Sequence, residues 1–171
     1  MIFCVDGYVN KLLLTTNKQL KMPTYYIKFA ENDKDFESRK AKCIADNSIG
    51  ISFGVFRNLK TDGIKQYAES VWDERAAAGV WKAPPRSRKH RWRQFALIQE
   101  MNPGDRVYLM KGFKILGEAT IVGPYLYDPR SEDQIHGRRD WMPHRRKFEN
   151  LVMYDKPRQA PKQMRMTIVK V

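Results

Sequence analysis

Two runs of basic side chains carry the chemistry most plainly written in this chain. One holds Arg86, Arg88, Lys89, Arg91 and Arg93; the other is His144, Arg145, Arg146 and Lys147. A third cluster, Arg138 and Arg139, precedes Trp141, and Trp92 lies inside the first run. Guanidinium and ammonium groups neutralise phosphates and release counterions, while flat aromatic rings stack on bases. A run of like charge is also what an ordinary solvated face looks like. Three runs in one half of the chain, with tryptophans beside them, favour a phosphate-bearing partner.

Groups that could break or form bonds are scarce. His90, His136 and His144 stand at no metal-ligand spacing to another His or Cys, and neither Cys4 nor Cys43 belongs to a C-x-x-C pair. There is no Walker loop, no G-x-S-x-G and no H-E-x-x-H. The acids are scattered, without the carboxylate pair and following lysine that metal-dependent nucleases use. His136 could be matched with Asn150 as a nuclease-like pair, but loop histidines in a phosphate-binding strip are the simpler reading. The expectation is a chain with no catalytic residue, no metal and no cofactor.

Composition agrees with a folded, basic binding protein. The 171 residues are 42% hydrophobic and 12% aromatic, enough for a core, and the net charge is +13. Residues 86–171 supply +10 of that charge, whereas residues 23–85 are close to neutral. No stretch approaches the ~20 apolar residues of a helical membrane span. Two cysteines make no disulfide scaffold, so a reducing cytoplasm is the expected compartment and no membrane is expected as a partner. Residues 1–22 include Leu12-Leu-Leu14 but lack the basic start and small-residue cleavage site of a secretory signal. Because Met22-Pro23 leads straight into a strand pattern, 1–22 is read as an extension and 23–171 as a single domain.

The elements that must position these residues follow from periodicity. Residues 25–29 (Tyr-Tyr-Ile-Lys-Phe) read as a strand, and Asp33 or Asp35 could cap a helix running from Phe36 to Cys43. Residues 48–56 read as a second strand with Gly50 and Gly54 interleaved. Ile64, Tyr67, Ala68 and Val71 fall at i, i+3, i+4, i+7 of a helix that Gly79 stops. Residues 80–90 read as a loop that carries the first basic run, followed by a helix over 93–101 with Phe95, Leu97 and Ile98 on its apolar side. Strands follow at 106–110, 115–122, 147–154 and 166–171. Tyr125 to Tyr127 is extended, 128–139 is a polar loop, and 156–163 is Pro-rich and basic. The sum is an α+β domain with a curled sheet or small β-barrel of five to six strands and two to three helices.

The order of these pieces resembles the EVE and YTH branch of the PUA-like superfamily. A helix leading into a turn of the form M-x-x-G-D-x-V is matched by Met101-Asn-Pro-Gly-Asp-Arg-Val107, where Asp105 closes the turn. A following strand of the form G-I-x-G-x-A-x-V is matched loosely by Lys114-Ile-Leu-Gly-Glu-Ala-Thr-Ile-Val122. The resemblance covers about 23–171 and extends to the DNA-reading modules of modification-dependent restriction enzymes. It implies a PUA-like fold that binds one base of DNA or RNA, often methylated, turned out of the stack into an aromatic pocket. The pocket positions fall near Phe53, where relatives commonly carry Trp, and near Trp141. Trp72 and Trp81, in a stretch longer than in compact members, are further pocket candidates. Phe53 and Trp92 each retain a core alternative.

The leading expectation is thus a non-catalytic reader of a modified base, its basic residues clamping phosphates, with a possible nuclease or restriction partner acting in trans. The alternatives are a small nuclease like the ASCH relatives and a pocketless basic adaptor. The nuclease pattern Gly-x-Lys…Glu-x-Arg is met only by Gly112-Phe-Lys114 and Glu118, without the spacing or the final arginine.

Overall fold

The structure is a computed structural model, and it describes residues 22–29, 36–53, 55–79, 86–128, 142–161 and 167–171, with Arg86 and Ser87 described by backbone alone. In chain order the elements are β1 (Thr24–Lys28), α1 (Phe36–Ala45), β2 (Ser48–Ile51), α2 (Ile64–Ala77), α3 (Arg86–Glu100), β3 (Arg106–Lys111), β4 (Lys114–Ile121), β5 (Leu126–Tyr127), β6 (His144–Gln159) and β7 (Ile168–Lys170). The domain is α+β: a curled sheet in the order β2-β6-β4-β3-β1-β7, with β5 pairing β6 off that path and three helices flanking it. β1 and β3 run parallel, and every other pair is antiparallel.

Alternation fixes which side of the sheet is inside. In β1, Tyr25 and Ile27 are buried while Thr24, Tyr26 and Lys28 are only partly so. The buried set continues as Val107 and Leu109 of β3, Ala119 and Ile121 of β4, and Phe148 of β6. The buried residues Phe36 and Cys43 of α1, Ala68 and Trp72 of α2, and Phe95, Leu97 and Ile98 of α3 join the same cluster, so the helices lie on that inner side.

β6 is the spine of the sheet, and two glycines let its neighbours approach it. A Cβ on Gly50 would stand 2.5 Å from the His144 carbonyl oxygen, and one on Gly117 would stand 2.5 Å from that of Val152. Both sites are backbone against backbone, so nothing can swing away.

Three elements differ from the sequence expectation. The second strand stops at Ile51 rather than 56, because the chain turns there, with the Val55 N–H donating to the Ser52 carbonyl at 2.9 Å and Phe53 at φ +45°. The first basic run is helical, not loop, since α3 begins at Arg86. The second basic run opens β6 instead of preceding it. Residues 1–21, the caps Asp33 and Asp35, Gly54 and most of the 128–139 loop lie outside the described residues. No helix among the described residues is long and apolar enough to cross a membrane.

Candidate functional site

Most of the run that opens β6 is buried, which corrects its assignment to phosphate binding for three of its four members. His144 is 0% exposed, Arg146 3% and Arg145 5%. Successive residues of a strand point to opposite faces, so His144 and Arg146 share the inner side with Phe148. The Arg146 guanidinium donates from Nε to the Ile98 carbonyl at 2.7 Å, from Nη1 to the Gly123 carbonyl at 2.9 Å, and from Nη2 to the Gln99 carbonyl. Ile98 and Gln99 sit in the last turn of α3, whose carbonyls have no partner within the helix. Arg146 therefore caps α3, with its positive charge at the negative end of the helix dipole. Arg145 and Lys147 both meet Asp46, at the turn between α1 and β2. Arg145 Nη1 lies 2.9 Å from Asp46 Oδ2, and the Lys147 ammonium donates to the Asp46 carbonyl at 2.6 Å. Burial works against the Asp46 carboxylate, but Arg145 and then Lys42 outweigh it and hold its pKa below the ordinary value. Lys147 alone of the four is exposed.

His144 anchors an aromatic row instead. A carbonyl only accepts, so the 2.8 Å contact between His144 Nε2 and the Val55 oxygen places the ring proton on Nε2. Nδ1 then accepts from the Tyr125 hydroxyl at 2.8 Å, and that oxygen in turn accepts from the Leu59 N–H at 3.3 Å. Burial pushes His144 down to about 4, against the pull of its bond to Val55, so the ring is neutral at physiological pH. Burial also pushes the Tyr125 hydroxyl up to about 12, the Leu59 N–H working the other way. Ring contacts lead from His144 to Phe95 (5.0 Å between centroids), from Phe95 to Phe53 (5.5 Å) and to Trp92 (5.7 Å), and from Trp92 to Trp72 (5.6 Å). Tyr125 and Tyr127 also stack on His144.

Phe53 is the unusual member of this row. A bulky side chain rarely accepts a left-handed backbone, and φ +45° costs on the order of 1–3 kcal/mol. Side chains from three elements hold the loop in that shape. Trp72 Nε1 of α2 donates to the Phe53 carbonyl at 2.9 Å, His144 of β6 to the Val55 carbonyl, and the Tyr127 hydroxyl of β5 to the Phe56 carbonyl. The Phe53 ring stays half-buried at the margin of the core. Trp72, by contrast, is 2% exposed with its only polar atom bonded, which corrects it from a pocket residue to a core residue.

The run on α3 divides between a buried and an exposed side. Gln94, Phe95, Leu97 and Ile98 face inward, and the Gln94 side-chain oxygen accepts from the Ile168 N–H, tying α3 to β7. Lys89 and Arg93, four residues apart and hence neighbours on the helix surface, are exposed. Arg88 pairs with Asp73 of α2, and Arg91 lies 5.2 Å from the Trp72 ring, so these two bind the helices to each other. Trp92, three residues after Lys89, is half-buried, and its buried Nε1 has no hydrogen-bond partner among the described residues. The candidate site is therefore the Trp92–Phe53 margin of the aromatic row together with Lys89 and Arg93. Trp81, Trp141, Arg138 and Arg139 lie outside the described residues, as does the Arg86 side chain.

Tyr125 and Tyr127 went unread as partners of His144 because nothing at a separation of nearly twenty residues marks them. The Asp105 turn is as expected: its carboxylate accepts from the Asn102 N–H at 2.7 Å. Among the described residues no three His, Cys, Asp or Glu side chains gather as a metal site would require. Burial raises the Cys43 thiol to about 12, which leaves it a packing group.

A solved crystal structure, that of protein Atu2648 from Agrobacterium tumefaciens, is similar at 11% identity over 87% of this chain and 84% of that one, with a TM-score of 0.38. No curated protein matches the chain. A family model, described as a domain of unknown function, DUF8426, matches residues 25–167. That match spans the sheet from β1 to the approach of β7 and includes every residue of the candidate site, so the chain belongs to the DUF8426 family.

Proposed function

We propose that this protein is a non-catalytic, cytoplasmic nucleic-acid-binding domain that takes a modified, methyl-bearing base against Trp92 and Phe53. Lys89 and Arg93 hold the flanking phosphates. The observation that carries this reading is two half-buried rings, Trp92 and Phe53, both packed on Phe95, with an indole N–H on Trp92 that lacks a partner among the described residues. A desolvated donor without an acceptor costs about 1–3 kcal/mol. A keto oxygen or ring nitrogen on a base edge would satisfy it once the indole turns outward, since the N–H is closed to solvent as the ring packs here.

The energetics set what such a site can achieve. Turning a base out of a duplex costs a few kcal/mol, and stacking on an aromatic ring returns about 1–3 kcal/mol. A methyl group adds about 0.8 kcal/mol of apolar burial, roughly fourfold in affinity. Discrimination beyond that needs the Trp92 N–H or another polar group to read the edge.

The test is an anisotropy titration of DNA and RNA oligonucleotides, with and without one methylated base, at two salt concentrations. Trp92→Phe keeps the ring and removes the N–H, and Phe53→Leu removes the strained ring. Each is expected to lower affinity for the methylated oligonucleotide about fivefold or more. Equal affinity for both oligonucleotides, unchanged in both variants, sinks the pocket.

A further inference from the structure

We infer that the outer face of the sheet, turned away from the helices and from Phe53, is a separate binding surface for single-stranded nucleic acid. Tyr26, Tyr108 and Tyr154 stack bases there, while Lys28 and Arg158 take the phosphates. This surface does not depend on the Trp92 site.

The alternation that buries Tyr25 and Val107 turns Tyr26 and Tyr108 to the opposite side. The register places Tyr26 beside Tyr108, Tyr108 beside Glu118, and Glu118 beside Val152, in one row across four strands. The Tyr26 and Tyr108 rings lie 4.9 Å apart. Beneath them, Met110, Ile115 and Ala160 form a small buried cluster distinct from the main core, with Tyr26, Tyr108, Tyr154 and Val169 packed half-buried around it. An extra residue in β4 helps build this cluster. Alternation already turns Met110 outward and Lys111 to the Phe36 ring at 4.4 Å, and because Leu109 pairs with Gly117 but Met110 with Ile115, the bulge at Leu116 brings Ile115 to the outer side as well.

A second irregularity shapes the surface. Between Ile115 and Gly117 of β4 the partner on β6 jumps from Arg158 to Met153, so residues 154–157 bulge from the sheet. Residues 153–158 line an open depression there, in which the Arg158 guanidinium lies 3.9 Å over the Tyr154 ring. An arginine stacked on a tyrosine offers a base two flat neighbours and a phosphate one charge.

Charge is unevenly spread across this face, and that gives the ligand a direction. The outward row nearest the β3–β4 turn runs Lys28, Met110, Ile115, Arg158, with Phe113, 46% exposed, at the tip. Glu118 stands at the far end of the tyrosine row, and the row beyond it holds both Arg106 and Glu149. A phosphate chain is therefore drawn to the Lys28–Arg158 row, and its bases fall on Tyr26 and Tyr108 in the next row, at the end away from Glu118. Stacking is sequence-tolerant, so homopolymers suffice as probes.

The experiment titrates the full chain with labelled twelve-nucleotide poly-dT and poly-U strands and with a methylated duplex. Ultraviolet crosslinking then maps the residues that contact the strand. Crosslinks are expected at Tyr26, Tyr108 or Tyr154. Arg158→Gln, at an exposed position that folding tolerates, and Tyr108→Val, which keeps strand propensity, should each weaken single-strand binding about tenfold. Neither should alter the methylated-to-unmethylated ratio for the duplex. Absence of single-strand binding, binding that neither variant changes, or crosslinks confined to α3 overturns the inference. So does finding these tyrosines protected only by self-association or by a protein partner. Loss of methyl discrimination alone, with the tyrosine crosslinks intact, would overturn the Trp92 site and leave this one standing.

Discussion

The two basic runs look alike in sequence and have opposite physical roles. On α3 the 3.6-residue period sends Lys89 and Arg93 outward while Gln94 and Phe95 go inward, so each charge keeps its hydration. On β6 the run lies between β2 on one edge and β5 on the other, in the buried first segment of that strand. There the period of two sends His144 and Arg146 into the core and Arg145 and Lys147 onto Asp46. Burying a guanidinium is costly unless its donors are all met. Arg146 finds three carbonyls because a helix ends beside it, and Arg145 finds a carboxylate because a turn does. Net charge thus overstates what is available to a partner, since part of it is structural.

Removing one charge from each run should separate the two roles most sharply. Arg146→Met leaves three carbonyls without a donor at the end of α3 and is expected to destabilise the fold by about 3–5 kcal/mol. Urea denaturation followed by circular dichroism measures this. A loss under 1 kcal/mol would mean that Arg146 is dispensable and that its burial has another reason.

The next effect comes from acid. His144 titrates near 6.5 when unfolded and near 4 in the native state, so between those values the unfolded chain binds a proton that the native chain refuses. Stability from this group is fully present above about pH 6.5, falls as pH drops through the window, and levels off below about 4. At about 1.4 kcal/mol per unit, the total is on the order of 3 kcal/mol. Urea midpoints at pH 7, 6, 5 and 4.5 should fall accordingly, and His144→Gln should flatten the trend. An exposed phosphate-binding histidine would instead leave wild-type stability level across this range.

How far the sequence carried this depends on the kind of signal. Local periodicity was legible: Thr24–Lys28, Phe36–Ala45, Ile64–Ala77 with Gly79 as its stop, and the 106–121 hairpin stand close to where pattern puts them. Phe53 is singled out only through the resemblance and is read as part of a strand, whereas it sits in the turn that follows Ile51. What was not legible is burial that arises between distant segments. Nothing local to residues 144–147 says that α3 will end against Arg146 or that Asp46 will meet Arg145, because those partners are 47 to 99 residues away in sequence. The start of α3 was lost for a related reason. A dense cationic run with two prolines before it reads as a loop, and what stabilises it as helix is Asp73 on another helix and the packing of Phe95 and Ile98. Trp72 misled in the opposite way, since an unassigned tryptophan in a charged helix was read as function when it is core.

Asp46→Asn probes the outer half of the β6 run. The amide can still accept a hydrogen bond but leaves the Arg145 guanidinium, 5% exposed, without its nearest charge. A loss of about 1–2 kcal/mol is expected in urea denaturation at pH 7, with Lys147→Gln costing under 0.5 kcal/mol because Lys147 is exposed. Equal losses would dissolve the distinction between a buried and a solvated member of one run.

The smallest change in stability should come from α3, and it is the one that ties charge to binding. Lys89→Gln with Arg93→Gln removes two exposed cations and is expected to shift stability by no more than about 0.5 kcal/mol. If each cation sits on a phosphate, the slope of log affinity against log salt should fall by roughly 0.7 to 0.9 per residue, the lower figure for a single strand. The pair would then lose about 1.5 units of slope while methyl discrimination stays intact, since phosphate contacts carry no base information. An unchanged slope would place the phosphate contacts elsewhere, and α3 would be a solvated face like any other. A reduced slope with reduced discrimination would mean that these cations position the base as well as the backbone.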